Sequence, residues 1–316
     1  MEDFDLPDNN EFLSEFRSFL QSQFDVVELL RERPLSVVLR ARDFVDGQDV
    51  AIKGVRFQSD AHRLAYVEKQ KTFYSRAEFR HHNLVEIRRL GADPGRNFYY
   101  VVMEYVPGPT LARYFIQQEN RLTIGAVLDI LRQVARGIDA LHSEGFIHRD
   151  LKPDNIFINN LTRATKIGDF GLIVAVEEME IGPVEESCGT PAFIAPEQII
   201  GTGYGQSVDI YAFGMTIYSL LTRCLPFDVY TTQDLLYAHI NSPAIPMRRR
   251  NRSWPHELDV AVMKSVSKIP YHRHASAMAL MEDVSRALEA FTPFRLSSFF
   301  DGSLSLQSGA DIPVGF

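Results

Sequence analysis

The string His148-Arg149-Asp150-Leu151-Lys152-Pro153-Asp154-Asn155, with Asp169-Phe170-Gly171 starting fourteen residues after Asn155, constrains this chain more than any other feature. Two acidic groups and an amide at those separations can arrange a hydroxyl nucleophile and magnesium ions around a triphosphate. Asp150 is suited to accept or orient the proton of an attacking hydroxyl. Asn155 and Asp169 offer the oxygen ligands that hard Mg²⁺ takes. A plain turn and a polar loop can carry the same residue types. An eight-residue string plus a separate triplet is nevertheless far more specific than a lone glycine motif.

Periodicity divides the rest of the chain into a strand-rich part and a helical part. Residues 1–22 read as an extension, with Phe12, Leu13, Phe16, Phe19 and Leu20 at helical spacing across Asn9–Gln21. Phe24–Leu30, Val37–Arg42 and Val50–Gly54 read as strands, with an Asp46-Gly47 hairpin turn before the third. A helix over Ala61–Phe79 follows, then strands over Leu84–Leu90 and Phe98–Tyr105 separated by a turn at Gly91–Gly95. Beyond Leu111 helical patterns dominate, at Leu122–Ser143, Ser207–Leu221, Gln233–Ile240, Val260–Ser267 and Ala275–Ala290. The final residues, 291–316, read as a tail that packs on the body or trails from it.

Over about residues 24–290 the motifs resemble the eukaryotic-type serine/threonine protein kinase family. That resemblance implies an α+β, bilobal fold: a small antiparallel sheet with one helix in an N-lobe (23–106), and a mainly helical C-lobe (107–290). It implies ATP and Mg²⁺ as cofactors and a protein Ser or Thr hydroxyl as acceptor. Val50-Ala51-Ile52-Lys53 is similar to the family's lysine motif, whose ammonium bridges the α- and β-phosphates. Glu68, fifteen residues on, is the expected partner of Lys53; counting back from His81-His82-Asn83-Leu84-Val85 by the family's spacing instead reaches Thr72, which cannot form an ion pair. Tyr99–Val106 resembles the fifth strand and hinge, with Glu104 and Val106 backbone groups for the adenine edge and Met103 guarding the inner pocket. Leu30, Val38 and Ala51 are the expected apolar wall above the base, and Phe157 the wall below.

The same resemblance makes Asp150 the base, Asn155 and Asp169 the Mg²⁺ ligands, and Lys152 a stabiliser of developing charge, with Thr190 hydrogen-bonding near Asp150. Arg149 is implied to receive an anion from the activation segment, and Glu186, preceded by Glu185, stands where the family often carries a phosphorylated threonine. Ser187 is the competing phosphorylation site. Glu197 is expected to pair with Arg273, and Asp209 to bond the backbone near His148.

The largest departure lies upstream of Lys53. Where the family places Gly-x-Gly-x-x-Gly, this chain reads Leu30-Arg31-Glu32-Arg33-Pro34-Leu35-Ser36, with Arg31, Arg33 and Ser36 at the glycine positions. Glycine lets backbone N–H groups approach phosphates, and Pro34 removes a donor. Either Arg31 or Arg33 supplies charge contacts in place of the backbone, or the chain is a pseudokinase that acts as a scaffold.

Composition closes off other classes. A net charge of −8 gives no global basic field for nucleic acid or an anionic membrane. The run Met247–Arg252 is short and reads as a solvated loop. Two cysteines imply no disulfide framework and suit a reducing cytoplasmic or nuclear setting, and the acidic start lacks a secretory layout. No apolar run approaches 18 residues. Oligomeric state is left open.

Overall fold

The computed structural model describes residues 9–57, 64, 67–68, 71–74, 80–118, 121–176, 190–292 and 295–299. Two compact units result: Met1–His81 with Val85–Val106, and His82–Leu84 with Pro107–Phe316.

The first unit is one antiparallel sheet of β1 (Phe24–Arg33), β2 (Ser36–Asp43), β3 (Asp49–Arg56), β4 (Ile87–Asp93) and β5 (Phe98–Glu104), in the order β1-β2-β3-β5-β4. Strand alternation sorts its apolar residues onto two faces. Val37, Leu39, Ala41, Val50, Ile52, Phe98, Tyr100 and Val102 pack with Phe12, Phe16 and Leu20 of helix α1 (Asn9–Leu20). Those three helix residues fall at i, i+4 and i+8, the spacing of a single stripe. The segment read as an extension is thus one wall of the first unit's core. On the opposite face Val67 meets Tyr99 and Val101. Among the residues of the expected 61–79 helix, 64, 67–68 and 71–74 are described, and all are helical.

A glycine makes the α1 contact possible. A Cβ on Gly54 of β3 would lie 2.5 Å from the Phe16 ring, and Phe16 is fully buried. Arg56 of the same strand pairs with Glu15 and lies 5.1 Å from the centre of the Phe12 ring. Gly91, read from sequence as a turn, sits inside β4 for the same kind of reason: its Cβ would lie 2.1 Å from the Tyr100 side chain. The turn is shorter than expected, Pro94–Arg96, and ends on Asn97 at φ 55°. The fourth strand begins at Ile87, not Leu84, which instead forms an isolated parallel bridge with Ile167.

The glycine-free stretch is a continuous hairpin. The ladder runs to the pair Arg33↔Ser36, leaving only Pro34 and Leu35 in the turn. Proline presets the first turn position, and Leu35 takes φ 61° at the second, a left-handed conformation costing about 1–2 kcal/mol for an L side chain. The tip is tied back by Arg56 N donating to Leu35 O at 2.9 Å.

The second unit is built from α2 (Leu111–Gln118), α3 (Ile124–Ser143), α4 (Pro196–Ile200), α5 (Ser207–Thr222), α6 (Thr232–Asn241), α7 (Met247–Arg250), α8 (His256–Ser265) and α9 (Ala277–Leu288). Thr123 and Ser276 cap α3 and α9 through side-chain oxygens, as their residue types favour. Helix α5 is buried on every side from Val208 to Leu221 and forms the centre of this unit. Two short antiparallel pairs complete it: β6 (Phe146–Ile147) with β9 (Val174–Ala175), and the hairpin of β7 (Ile156–Ile158) with β8 (Thr165–Ile167).

Part of the tail packs here. Leu296 N donates to Leu122 O at 2.7 Å, and Phe299 stacks on Trp254 at 4.4 Å. The arginine run read as a loop includes helix α7, with Arg250 bonded to Asp228 at 2.5 Å. No helix among the described residues is long and apolar enough to cross a membrane.

Gly54→Ala tests the α1 contact, because glycine-to-alanine in a strand otherwise lowers unfolded-state entropy and stabilises. Here the added methyl overpacks a buried ring, and a loss of about 1–3 kcal/mol is expected in denaturant titration. Adding Phe16→Ala should make that loss smaller than its single-variant value. Equal losses in both backgrounds would show that the ring is not the obstacle.

Candidate active site

Within the second unit, the β7–β8 hairpin sets the geometry. Its register Ile156↔Ile167 brings residue 155 beside residue 168, and Gly168 N donates to Asn155 O at 2.9 Å. Asn155 and Asp169 therefore leave the same end of one hairpin. Asn155 Nδ2 donates to the Asp150 carbonyl at 2.8 Å and to Asp150 Oδ2 at 2.9 Å. Both partners are acceptors, so the amide nitrogen must face them and Oδ1 must point away. That oxygen is buried with no hydrogen-bond partner. An orphaned hard oxygen beside a carboxylate-bearing residue fits a Mg²⁺ ligand pair. Asp169 itself is left-handed, φ 60°, and opens the short helical turn Phe170–Leu172.

Three groups converge on the Asp150 carboxylate. Lys152 Nζ lies 2.7 and 3.0 Å from its two oxygens. Thr190 donates through its backbone N at 3.1 Å and its hydroxyl at 3.3 Å. Lys152 Nζ also contacts Thr190 Oγ1. The Lys152 side chain is only 4% exposed and the Asp150 side chain 12%, so little water screens the pair.

The loop that presents Asp150 is held from below by Asp209 of α5. This carboxylate accepts His148 N at 2.8 Å, Arg149 N at 3.0 Å and His142 Nε2 at 2.9 Å. Full burial pushes its pKa up, but the His142 hydrogen bond, nearby His142 and His148, and the His148 N–H hold it below the ordinary carboxylate range. His148 Nε2 meets Gly168 O at 3.0 Å, and Asp150 N donates to His148 Nδ1 at 3.3 Å. With Nδ1 as acceptor and Nε2 as N–H donor, this one ring links the Asp150 loop to the Asp169 turn. Phe170 packs edge-on against that ring at 5.7 Å.

Arg149 adopts φ 69°, and its guanidinium lies 5.5 Å from the centre of the Tyr204 ring, with Nε buried and unbonded. Glu185, Glu186 and Ser187, the expected sources of its anion, lie outside the described residues. Glu197 and Arg273 form a buried two-pronged pair at 2.6 and 2.8 Å. Below Thr190-Pro191, Tyr211 OH bonds His239 Nδ1 at 2.7 Å. Phe157 stands on the half-buried side of β7, between buried Ile156 and Ile158.

In the first unit Lys53 lies mid-strand, half-buried, in one cross-sheet row with Val38 and Val101. Val38, Ala51 and Met103 share its face, the one opposite α1. Leu30, expected in the same wall, stands at a β1 register shift and is 41% exposed. Glu104 Oε2 accepts Glu86 N at 3.2 Å, and Val106 is buried. Glu68 requires a correction. It is 67% exposed and bonds Lys71 at 2.9 Å, three residues along the same helix, so its carboxylate serves an exposed surface pair rather than Lys53. His142, which shares Asp209, escaped sequence reading because nothing local marks a helix histidine 67 residues from its partner.

Fold and site together define a protein kinase domain. Residues 28–289 match the protein kinase domain family, and the chain belongs to it. It is 29% identical over 272 residues to serine/threonine-protein kinase PrkC of Bacillus subtilis, covering 86% of this chain and 41% of PrkC. Over 273 residues it is 29% identical to serine/threonine-protein kinase PknB of Mycobacterium tuberculosis, covering 85% of this chain and 43% of PknB. The chain thus spans about two fifths of the length of these relatives.

Burial drives His239 down to about 3, and the nearby Lys268 charge adds to the effect. The folded ring stays neutral while the unfolded ring protonates below about 6.5. Stability from this residue is therefore full above that pH and declines as pH falls toward 3, by up to about 1.4 kcal/mol per unit. His239→Gln should flatten the pH dependence of the guanidinium midpoint between pH 6.5 and 5. A part will remain from His274, also pushed down by burial. An unchanged slope in the variant would exclude this account.

Proposed function

We propose that this chain is an ATP-dependent serine/threonine protein kinase, which transfers the γ-phosphoryl group of ATP to a Ser or Thr hydroxyl on a protein. The observation that carries this reading is the convergence of Lys152, Thr190 and Asn155 on the Asp150 carboxylate, with Asn155 Oδ1 left buried and unbonded.

In this reading Asp150 accepts the proton of the substrate hydroxyl as its oxygen bonds to the γ-phosphorus. The bond to the β-γ bridging oxygen breaks, and ADP leaves with that electron pair. Lys152, held against Asp150, lowers the energy of the equatorial phosphoryl charge. Thr190 fixes the carboxylate rotamer so that one oxygen faces the incoming hydroxyl. Asn155 and Asp169 would hold Mg²⁺, which when bound neutralises phosphate charge. Lys53 engages the α- and β-phosphates, and Val38, Ala51 and Met103 form an apolar bed for the base, with Glu104 and Val106 backbone groups at its edge. Leu30 and Phe157 supply further apolar contact. Glu68 has no part, and Arg149 anchors the activation segment.

The glycine-free hairpin favours a second reading, a scaffold that binds partners without turnover. Asp150→Asn separates the two. Transfer of labelled phosphate to a protein acceptor should fall about 10²–10⁴-fold, while the rise in melting temperature with Mg-ATP persists. Wild-type chain that shows neither transfer nor a thermal shift at millimolar Mg-ATP would overturn the kinase reading.

A further inference from the structure

We infer that this chain grips nucleotide polyphosphate with a guanidinium pair, Arg31 and Arg33, aligned with Lys53 on one face of the sheet, in place of a backbone amide loop; this rests on the kinase reading above. Residues directly opposite in an antiparallel ladder project to the same face. Arg31 pairs with Val38, and Val38 with Lys53, so all three stand in one row. Arg33 pairs with Ser36, and Ser36 with Val55, which places Arg33 in the adjacent row on the same face. The shift in β1 between Leu29 and Arg31 produces this alignment: Leu29 pairs with Leu39 on the α1 face, and skipping Leu30 brings Arg31 to the other side. With strands about 4.8 Å apart, Arg31 and Lys53 are about 10 Å apart at the backbone. Val38, short and uncharged, is the only row member between them.

The ladder also places the three cations toward one end of this face. The acidic residues Glu28 and Asp49 pair with Arg40, at 3.9 and 2.6 Å, further down the strands. Asp25 is further still, opposite Arg42. Arg31, Arg33 and Lys53 cluster toward the tip. Meanwhile the tip suits no amide cradle. Its ladder closes at Arg33↔Ser36 and Pro34 carries no N–H. Guanidinium groups match phosphate with two parallel N–H donors, a geometry an ammonium does not reproduce. The ligand class is therefore a nucleoside triphosphate bound in proportion to its phosphate count.

The test is calorimetric binding of Mg-ATP, Mg-ADP and adenosine to the full chain and to Arg31→Ala, Arg33→Ala and the double variant. Arg17→Ala, an exposed charge on α1, serves as control. The double variant is expected to lose on the order of ten- to a hundredfold in Mg-ATP affinity, less for Mg-ADP, and nothing for adenosine. Its Mg-ATP binding should also depend less steeply on salt, and lysine at both positions should not restore affinity. Mg-ATP binding equal to wild type, or an equal loss for adenosine, would overturn the arginine cradle alone. Wild-type chain that binds neither Mg-ATP nor adenosine would overturn the kinase reading beneath it.

Discussion

The second unit depends on one buried negative charge. Asp209 sits on α5, a helix enclosed along nearly its whole length, and three nitrogens from α3 and the catalytic loop converge on it. An isolated carboxylate at that depth would be strongly disfavoured. Satisfied by two backbone N–H groups and an imidazole, it becomes a fixed point from which the loop is built outward. Arg149 at φ 69° is one result, since an unsupported arginine would leave that conformation. The orientation of Asp150, one residue later, follows from it. His148 extends the same support to Gly168 and Phe170, so the Asp150 loop and the Asp169 turn share one scaffold.

The first unit has a different organising constraint. Its sheet has one continuous apolar face, which left exposed would present a large hydrophobic patch. Helix α1 covers that face, with Phe12, Phe16 and Leu20 lying over β2, β3 and β5. The strand bearing Lys53 is therefore packed directly on α1 through Gly54, the next residue. Position along β3 is fixed from behind by close packing, which leaves the other face free to carry chemistry. Buried arrangements of this kind transmit displacement because interiors have little slack.

Much of this was legible in the sequence, for identifiable reasons. The strings around Asp150 and Asp169 are local, and a local string carries its own spacing. The Asp150–Thr190, Glu197–Arg273 and Asp209–His148 contacts followed from the family resemblance and recur here in the hydrogen bonds. The failures share a cause, which is that close tertiary approach leaves no periodic signal. Gly91 read as a turn because glycine usually marks one, whereas Tyr100 from the neighbouring strand demands it. Glu68 read as a counter-ion by elimination, but side-chain direction on a helix is set by packing, and Lys71 is its neighbour. The α1 stripe was visible, but not the surface it covers.

The hairpin tip shows how a missing motif can be informative. A glycine loop binds phosphate through amides whose positions depend on backbone flexibility, and it gains that flexibility at an entropic penalty. Here the backbone is committed to the ladder up to Arg33↔Ser36, and proline stiffens what remains. In the arginine-pair reading proposed above, recognition at such a tip comes from side chains, whose reach is set by register rather than by loop motion. Side-chain recognition is more sensitive to ionic strength, because exposed guanidinium groups are screened over a Debye length of about 8 Å in physiological salt. Loss of the glycines and gain of two arginines on the lysine face are thus two aspects of one structural choice.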